Sequence, residues 1–149
     1  MWRTWLVGVG VGLTAFGVAM ALASGTVLFE PLYHLIDPAF WQAGPPDPGS
    51  VSFRAWAFGA WGATIAGWGV VIALLARDAF GRPERWAWWA LAVGTGLWFV
   101  LDTVISIMHG VWFNVAINVV VSALVAVPLV ATRSAANPRR GSDGRTVDR

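Results

Sequence analysis

The chain has 149 residues, of which 57% are hydrophobic and only 12% charged, with a net charge of +2 and no cysteine. Long apolar blocks with so few charges fit a single-domain integral membrane protein. The composition excludes disulfides, thiolate catalysis and Cys-ligated metals, and scattered arginines beside apolar blocks give a nucleic-acid partner no support.

A helix that crosses a bilayer needs about 20 mostly apolar residues, and the first such stretch runs over residues 5–29. Arg3, the apolar run and Ala21-Leu22-Ala23 before Ser24 imitate a secretory signal with a small-residue cleavage site. The run continues through Phe29, beyond the roughly 7–15 residues of a signal core, so an uncleaved span is expected. Gly8 and Gly12 form a GxxxG pair suited to close helix packing.

Residues 30–52 form a polar connection. Pro31 and Pro38 bracket a short interfacial helix that would lay Leu32, Leu35, Ile36 and Phe40 on lipid or on the bundle and bring His34 near His109. The Pro and Gly run from Gly44 to Gly49 then breaks the chain. Two histidines without a ligand-spacing motif do not make a metal or haem site, so no metal or cofactor is expected.

The second span covers 53–76, where Ala55, Gly59, Ala63, Ala66, Gly67 and Val70 make a small-residue stripe to pair with the first span. After a basic loop over 77–85 come the third span, 86–108, and the fourth, 111–132, joined by a turn at Gly110. Trp61, Trp68 and Trp98 fall inside spans, where an indole packs against a polar neighbour or lines a cavity. Pro128 predicts a local bend in the fourth span. Residues 1–133 therefore read as the membrane domain, and 134–149 as a disordered polar tail.

With four spans, both termini and the 77–85 loop share one side, and every arginine except Arg54 falls there. The positive-inside rule makes that side cytoplasmic, so both termini are inside and 30–52 is outside. Trp2, Trp5, Trp86, Trp88 and Trp89 would form the inner aromatic girdle, and Trp41, Trp56 and Trp112 the outer one. The expected fold is all-α, a four-helix transmembrane bundle. Abundant Arg, Ala, Gly, Val, Pro and Trp with no Lys point to a GC-rich bacterial genome, and so to the bacterial inner membrane.

Asp102 is the feature that asks for an explanation, because an ionisable group at membrane depth costs roughly 2.5–3.5 kcal/mol even on insertion scales. At 100° per residue, Thr95, Asp102, Ser106 and His109 fall within roughly 60° of one another on the third helix. Asn114, Asn118 and Ser122 make a stripe on the fourth, and counting from the turn brings Asn118 level with Asp102, so an Asp102–Asn118 pair is expected. Two readings fit. Asp102 either fastens two helices through hydrogen bonds, or, with Ser106, His109, Asn114 and Asn118, lines an outer pocket joined by Arg54 and Glu30. Arg54 would then balance Asp102 or Glu30, bind an anionic headgroup, or simply snorkel.

The pieces Trp98-Phe99-Val100-Leu101-Asp102-Thr103 and Phe113-Asn114 with Asn118, together with Ala63-Thr64-Ile65-Ala66-Gly67-Trp68 and Glu84-Arg85-Trp86, resemble a group of small bacterial four-helix membrane proteins of unassigned activity. The resemblance covers the second to fourth spans and implies a similar fold without any chemistry. The functional expectation is a protein embedded in the lipid bilayer that binds a small amphipathic or lipid-like molecule, or serves as a small subunit of a larger membrane complex or homo-oligomer. The alternative is a membrane enzyme using Asp102 and His109 as acid and base on a lipid-soluble substrate.

Overall fold

A computed structural model describes residues 1–41, 44–78 and 85–132. The disordered tail expected over 134–149 and most of the loop expected over 77–85 lie outside the described residues. The described chain forms α1 (Trp2–Ala23), a short 3-10 turn (Val27–Phe29), α2 (Glu30–Phe40), α3 (Pro48–Asp78), α4 (Arg85–Met108) and α5 (Trp112–Thr132). Four of these are long and apolar enough to cross a membrane: Trp2–Ala23, Pro48–Arg77, Trp86–Met108 and Trp112–Thr132. Their outward faces carry large apolar side chains such as Phe16, Trp61, Leu97, Val104 and Val120, as a lipid solvent allows.

The first helix ends at Ala23, earlier than the hydropathy of residues 5–29 indicates. Thr26 adopts an extended conformation (φ −112°, ψ 166°), and its hydroxyl donates to the Ala23 carbonyl, which would otherwise continue the helix ladder. The chain then turns into α2, with Pro31 in its first turn where a missing N–H costs nothing. α3 begins under a complete N-cap. Asp47 Oδ1 accepts from the backbone N–H of Gly49 (2.8 Å) and Ser50 (3.2 Å), and Ser50 Oγ donates to Asp47 Oδ2 (2.6 Å).

α1 and α3 pack as the closest pair, through small residues spaced 3 and 4 apart. A Cβ at Gly10 would stand 2.6 Å from the Ala73 nitrogen and the Gly69 carbonyl oxygen, and one at Gly62 would stand 2.5 Å from the Ala21 nitrogen. Gly17 meets Gly62 and Ala66, and Gly69 meets Gly10 and Thr14. The helix pair therefore uses a seven-residue repeat, Gly10 and Gly17 against Gly62 and Gly69. The expected pairing through Gly8 and Gly12 on one helix and Gly67 on the other is corrected: all three face open space. A GxxxG pair advances 400° and stays near one face, but two antiparallel helices crossing at a small angle keep contact along a seven-residue spacing, and that register selects Gly10 and Gly17.

α4 and α5 form a second antiparallel pair. α4 ends where Gly110, at φ +71°, reverses the backbone; its N–H donates to the Ile107 carbonyl and that of Val111 to the Ser106 carbonyl, which consumes carbonyls left open at the helix end. The two pairs meet near the end that holds the start of α1 and the end of α5, where Leu6, Ile72, Ala76, Leu91, Val125 and Leu129 form one buried cluster. Trp68 lies against Gly94 of α4, where a Cβ would approach its ring to 3.0 Å. At the opposite end a second cluster, Met20, Phe29, Tyr33 and Phe58, seats α2 on the α1–α3 pair.

Two tryptophans expected in an interfacial girdle also bind the backbone of α5. Trp5 Nε1 donates to the Leu124 carbonyl (3.0 Å) and Trp88 Nε1 to the Leu129 carbonyl (2.8 Å). Leu124 stands four residues before Pro128, so its carbonyl lacks the usual helical donor. Leu129 lies in the last turn of α5, where carbonyls run out of helical donors, and its carbonyl also accepts from the Thr132 hydroxyl (3.3 Å).

Candidate functional site

The polar residues of α4 and α5 converge toward the α2 end. On α4, Val93, Leu97, Val100, Leu101 and Val104 are exposed, while Thr95, Trp98, Asp102, Thr103 and Ser106 turn inward. Asn114, in the first turn of α5, donates both amide hydrogens, one to Asp102 Oδ2 (2.9 Å) and one to Ser106 Oγ (2.8 Å). The Ser106 hydroxyl passes its own hydrogen to the Asp102 carbonyl (2.6 Å). Asp102, Ser106 and Asn114 are thereby held as one unit, with the carboxylate half-buried.

Asn118 is 1% exposed and donates to Thr103 Oγ1 (3.3 Å). The expected Asp102–Asn118 hydrogen bond is thus replaced by Asp102–Asn114 and Thr103–Asn118 contacts. Depth is as counted from the turn, but α4 is rotated so that Thr103, not Asp102, meets Asn118. One turn further along α5, Ser122 Oγ is buried, and neither it nor Asn118 Oδ1 has a hydrogen-bond partner among the described residues. The polar seam therefore continues past Asn118.

His109 is exposed beyond the end of α4, with Nδ1 2.9 Å from the Ile105 carbonyl. A carbonyl only accepts, so Nδ1 is the donor in this contact. Around it, Leu35, Pro38 and Ala39 of α2 and Gly110, Trp112 and Phe113 line an open groove of about 420 Å³. The α2 ring nearest His109 is Phe40, at 6.1 Å between centroids; His34 is exposed, and no group of three or more metal-ligating side chains forms among the described residues. Asp102 lies two helical turns from His109, about 10 Å along the axis, so the two do not share a proton directly.

Arg54 and Glu30 do not join Asp102. Arg54 is 7% exposed and forms an ion pair with Asp37, an α2 residue that sequence reading left out of the site. Its guanidinium lies over the Tyr33 ring, 3.8 Å from the centroid. Tyr33 donates to the Ser24 carbonyl (2.5 Å), Ser24 Oγ donates to the Ala55 carbonyl (2.8 Å), and Phe58 packs edge-on against Tyr33 (5.1 Å). Burial raises the Tyr33 phenol above its ordinary value, with Arg54 opposing and Glu30 and Asp37 adding to the rise. Glu30 itself is exposed at the start of α2. The expectation that Arg54 balances Asp102 or Glu30 is corrected: α2 folds back on α3 and presents Asp37 first. The pairing was unreadable because residues 37 and 54 are joined through a connection whose path the sequence does not specify.

No protein family, curated protein or solved structure significantly matches the chain. Fold and site together define a helical bundle with four helices long and apolar enough to cross a membrane, a polar seam between α4 and α5, and a groove at its α2 end.

Proposed function

We propose that the chain is a bacterial inner-membrane protein with both termini cytoplasmic, binding a small amphipathic or lipid-like molecule at the outer mouth of the α4–α5 pair, either alone or as a small subunit of a larger complex. The arginine distribution supports this orientation. The observation that carries the binding reading is the Asn114 bridge to Asp102 and Ser106 below the open groove at His109. Such a bridge holds a carboxylate in a fixed orientation while leaving it half-buried, and the groove at the end of the same helix pair, lined by Leu35, Pro38, Trp112 and Phe113 beside His109, would accommodate a chain or ring. A pure helix clasp would need the carboxylate sealed.

The test is to purify the wild type, Asp102→Asn and Asp102→Ala in a mild detergent, measuring thermal stability and identifying co-purified lipids by mass spectrometry. The reading expects folded Asp102→Asn to lose a specific co-purified species. If Asp102→Asn is tolerated, Asp102→Ala unfolds and the three lipid profiles agree, Asp102 is a clasp and the binding reading fails.

A further inference from the structure

We infer that the Asp102 site selects a cationic amphiphile, one whose ammonium or other lipophilic positive centre meets the carboxylate. This rests on the binding reading above and adds the ligand's charge.

Residues 86–132 contain only two ionisable side chains, Asp102 and the groove histidine His109. α5 has none, and the ionisable residues of α1 and α3 stand at helix ends: Arg3 and Arg77 at the terminal end, with Asp78 beside Arg77, and Arg54 at the α2 end. Arg54 is the sole arginine between Arg3 and Arg77, and Asp37 holds it. The Asn114 hydrogen bond to the Asp102 carboxyl comes from a neutral amide, which orients the group without supplying a counter-charge. With no cation beside it among the described residues, this carboxyl, when ionised, repels an anionic ligand and attracts a cation, and a low-dielectric surround screens that attraction weakly.

Aromatic groups stand on both sides of Asp102. Away from the mouth, Trp98 lies one turn deeper, roughly 40° around α4 on the inward face. At the mouth, Trp112 and Phe113 line the groove with His109, and the Phe40 ring lies 6.1 Å from the imidazole. Indole and phenyl faces favour cations over anions. The exposed Glu30 and Asp47 leave the outer surface acidic as well, since Arg54 and Asp37 cancel.

The test uses the full chain in phosphatidylglycerol nanodiscs and three probes of similar size and apolarity: tetraphenylphosphonium, tetraphenylborate and triphenylphosphine oxide. Binding is read by equilibrium dialysis against empty nanodiscs. The expected result is saturable tetraphenylphosphonium binding to the wild type, at least about tenfold tighter than either other probe and weakened by a similar factor in Asp102→Asn. Selectivity is read on the wild type, so a variant that fails to fold leaves the test intact. Equal binding of the neutral or anionic probe overturns the charge assignment while the binding site stands. Saturable binding of none of the three overturns both. Adding phosphatidylethanolamine separates two sources of the cation: displacement assigns it to a lipid headgroup ammonium, and undiminished binding to a free amphiphile.

Discussion

Trp5 donates its indole hydrogen to the carbonyl of Leu124, the acceptor that Pro128 deprives of a helical partner. A proline in a membrane helix is tolerated when something else satisfies the freed carbonyl, because lipid cannot. Trp5→Phe keeps the ring and removes the donor, so it is expected to destabilise by about 0.6–1.7 kcal/mol, the range for hydrogen bonds within bilayers. Pro128→Ala returns the backbone donor. In that background Trp5→Phe should cost measurably less, and additivity of the two changes in a detergent unfolding cycle would show that the carbonyl is not what links them.

The α1–α3 interface should distinguish glycines that look alike in sequence. Gly62→Ala brings a methyl to 2.5 Å from the Ala21 nitrogen and forces backbone apart, with an expected loss of about 1–3 kcal/mol. Gly8→Ala, Gly12→Ala and Gly67→Ala meet nothing within 4 Å and should be neutral, or stabilising by up to about 1 kcal/mol through helix propensity. Thermal unfolding of the four variants decides it.

The Arg54–Asp37 pair is buried enough that removing one partner leaves a stranded charge. Asp37→Ala or Arg54→Met alone should cost about 3–5 kcal/mol, and the double replacement less than either. A double variant worse than both single ones would mean that the ion pair adds stability of its own.

Two groups outside the spans set the pH limits. Asp47 is held below its ordinary value, first by the Ser50 hydroxyl and then by the backbone N–H groups of Ser50 and Gly49. Its cap is therefore fully present above the ordinary value of 3.8 and is lost as pH falls through the lower folded one. The Tyr33 phenol is raised by burial above 10.0, so the stability it contributes is complete below that pH and lost as pH rises through the folded value. Thermal scans against pH should show an acid loss that Asp47→Asn flattens and an alkaline loss that Tyr33→Phe flattens.

Absence of cysteine in the chain makes the orientation directly measurable. Gly44→Cys should react with an impermeant maleimide in intact cells, and Thr4→Cys only after lysis. The reverse pattern would invert the proposed topology.

Four apolar helices were legible because hydropathy needs only length, and the inward placement of Asp102 and Ser106 on one helix and of Asn114 and Asn118 on the next was legible because 100° per residue is a property of any helix. What escaped depended on relations between helices. The Thr103–Asn118 contact follows from the rotation of α4, and the choice of Gly10 over Gly8 from the crossing register of α1 and α3. Asp37 went unnoticed because a single acidic residue in a connection carries no periodicity. Pro128 looked like a simple bend, although counting back four residues to Leu124 would have raised the question of which donor it needs.

α5 is the last of the described helices to be synthesised, and it receives an indole from α1 and another from α4. Until α5 enters the bilayer, Trp5 and Trp88 have no carbonyls of that helix to reach, and Leu6 and Leu91 lack the Val125 and Leu129 that complete their cluster. α5 thus closes the assembly like a keystone, joining two earlier pieces that touch each other only thinly. A chain stopped before Trp112 should insert α1, α3 and α4 yet leave Trp5, Leu6, Trp88 and Leu91 without their α5 partners, and it should be digested faster by protease than the longer chain.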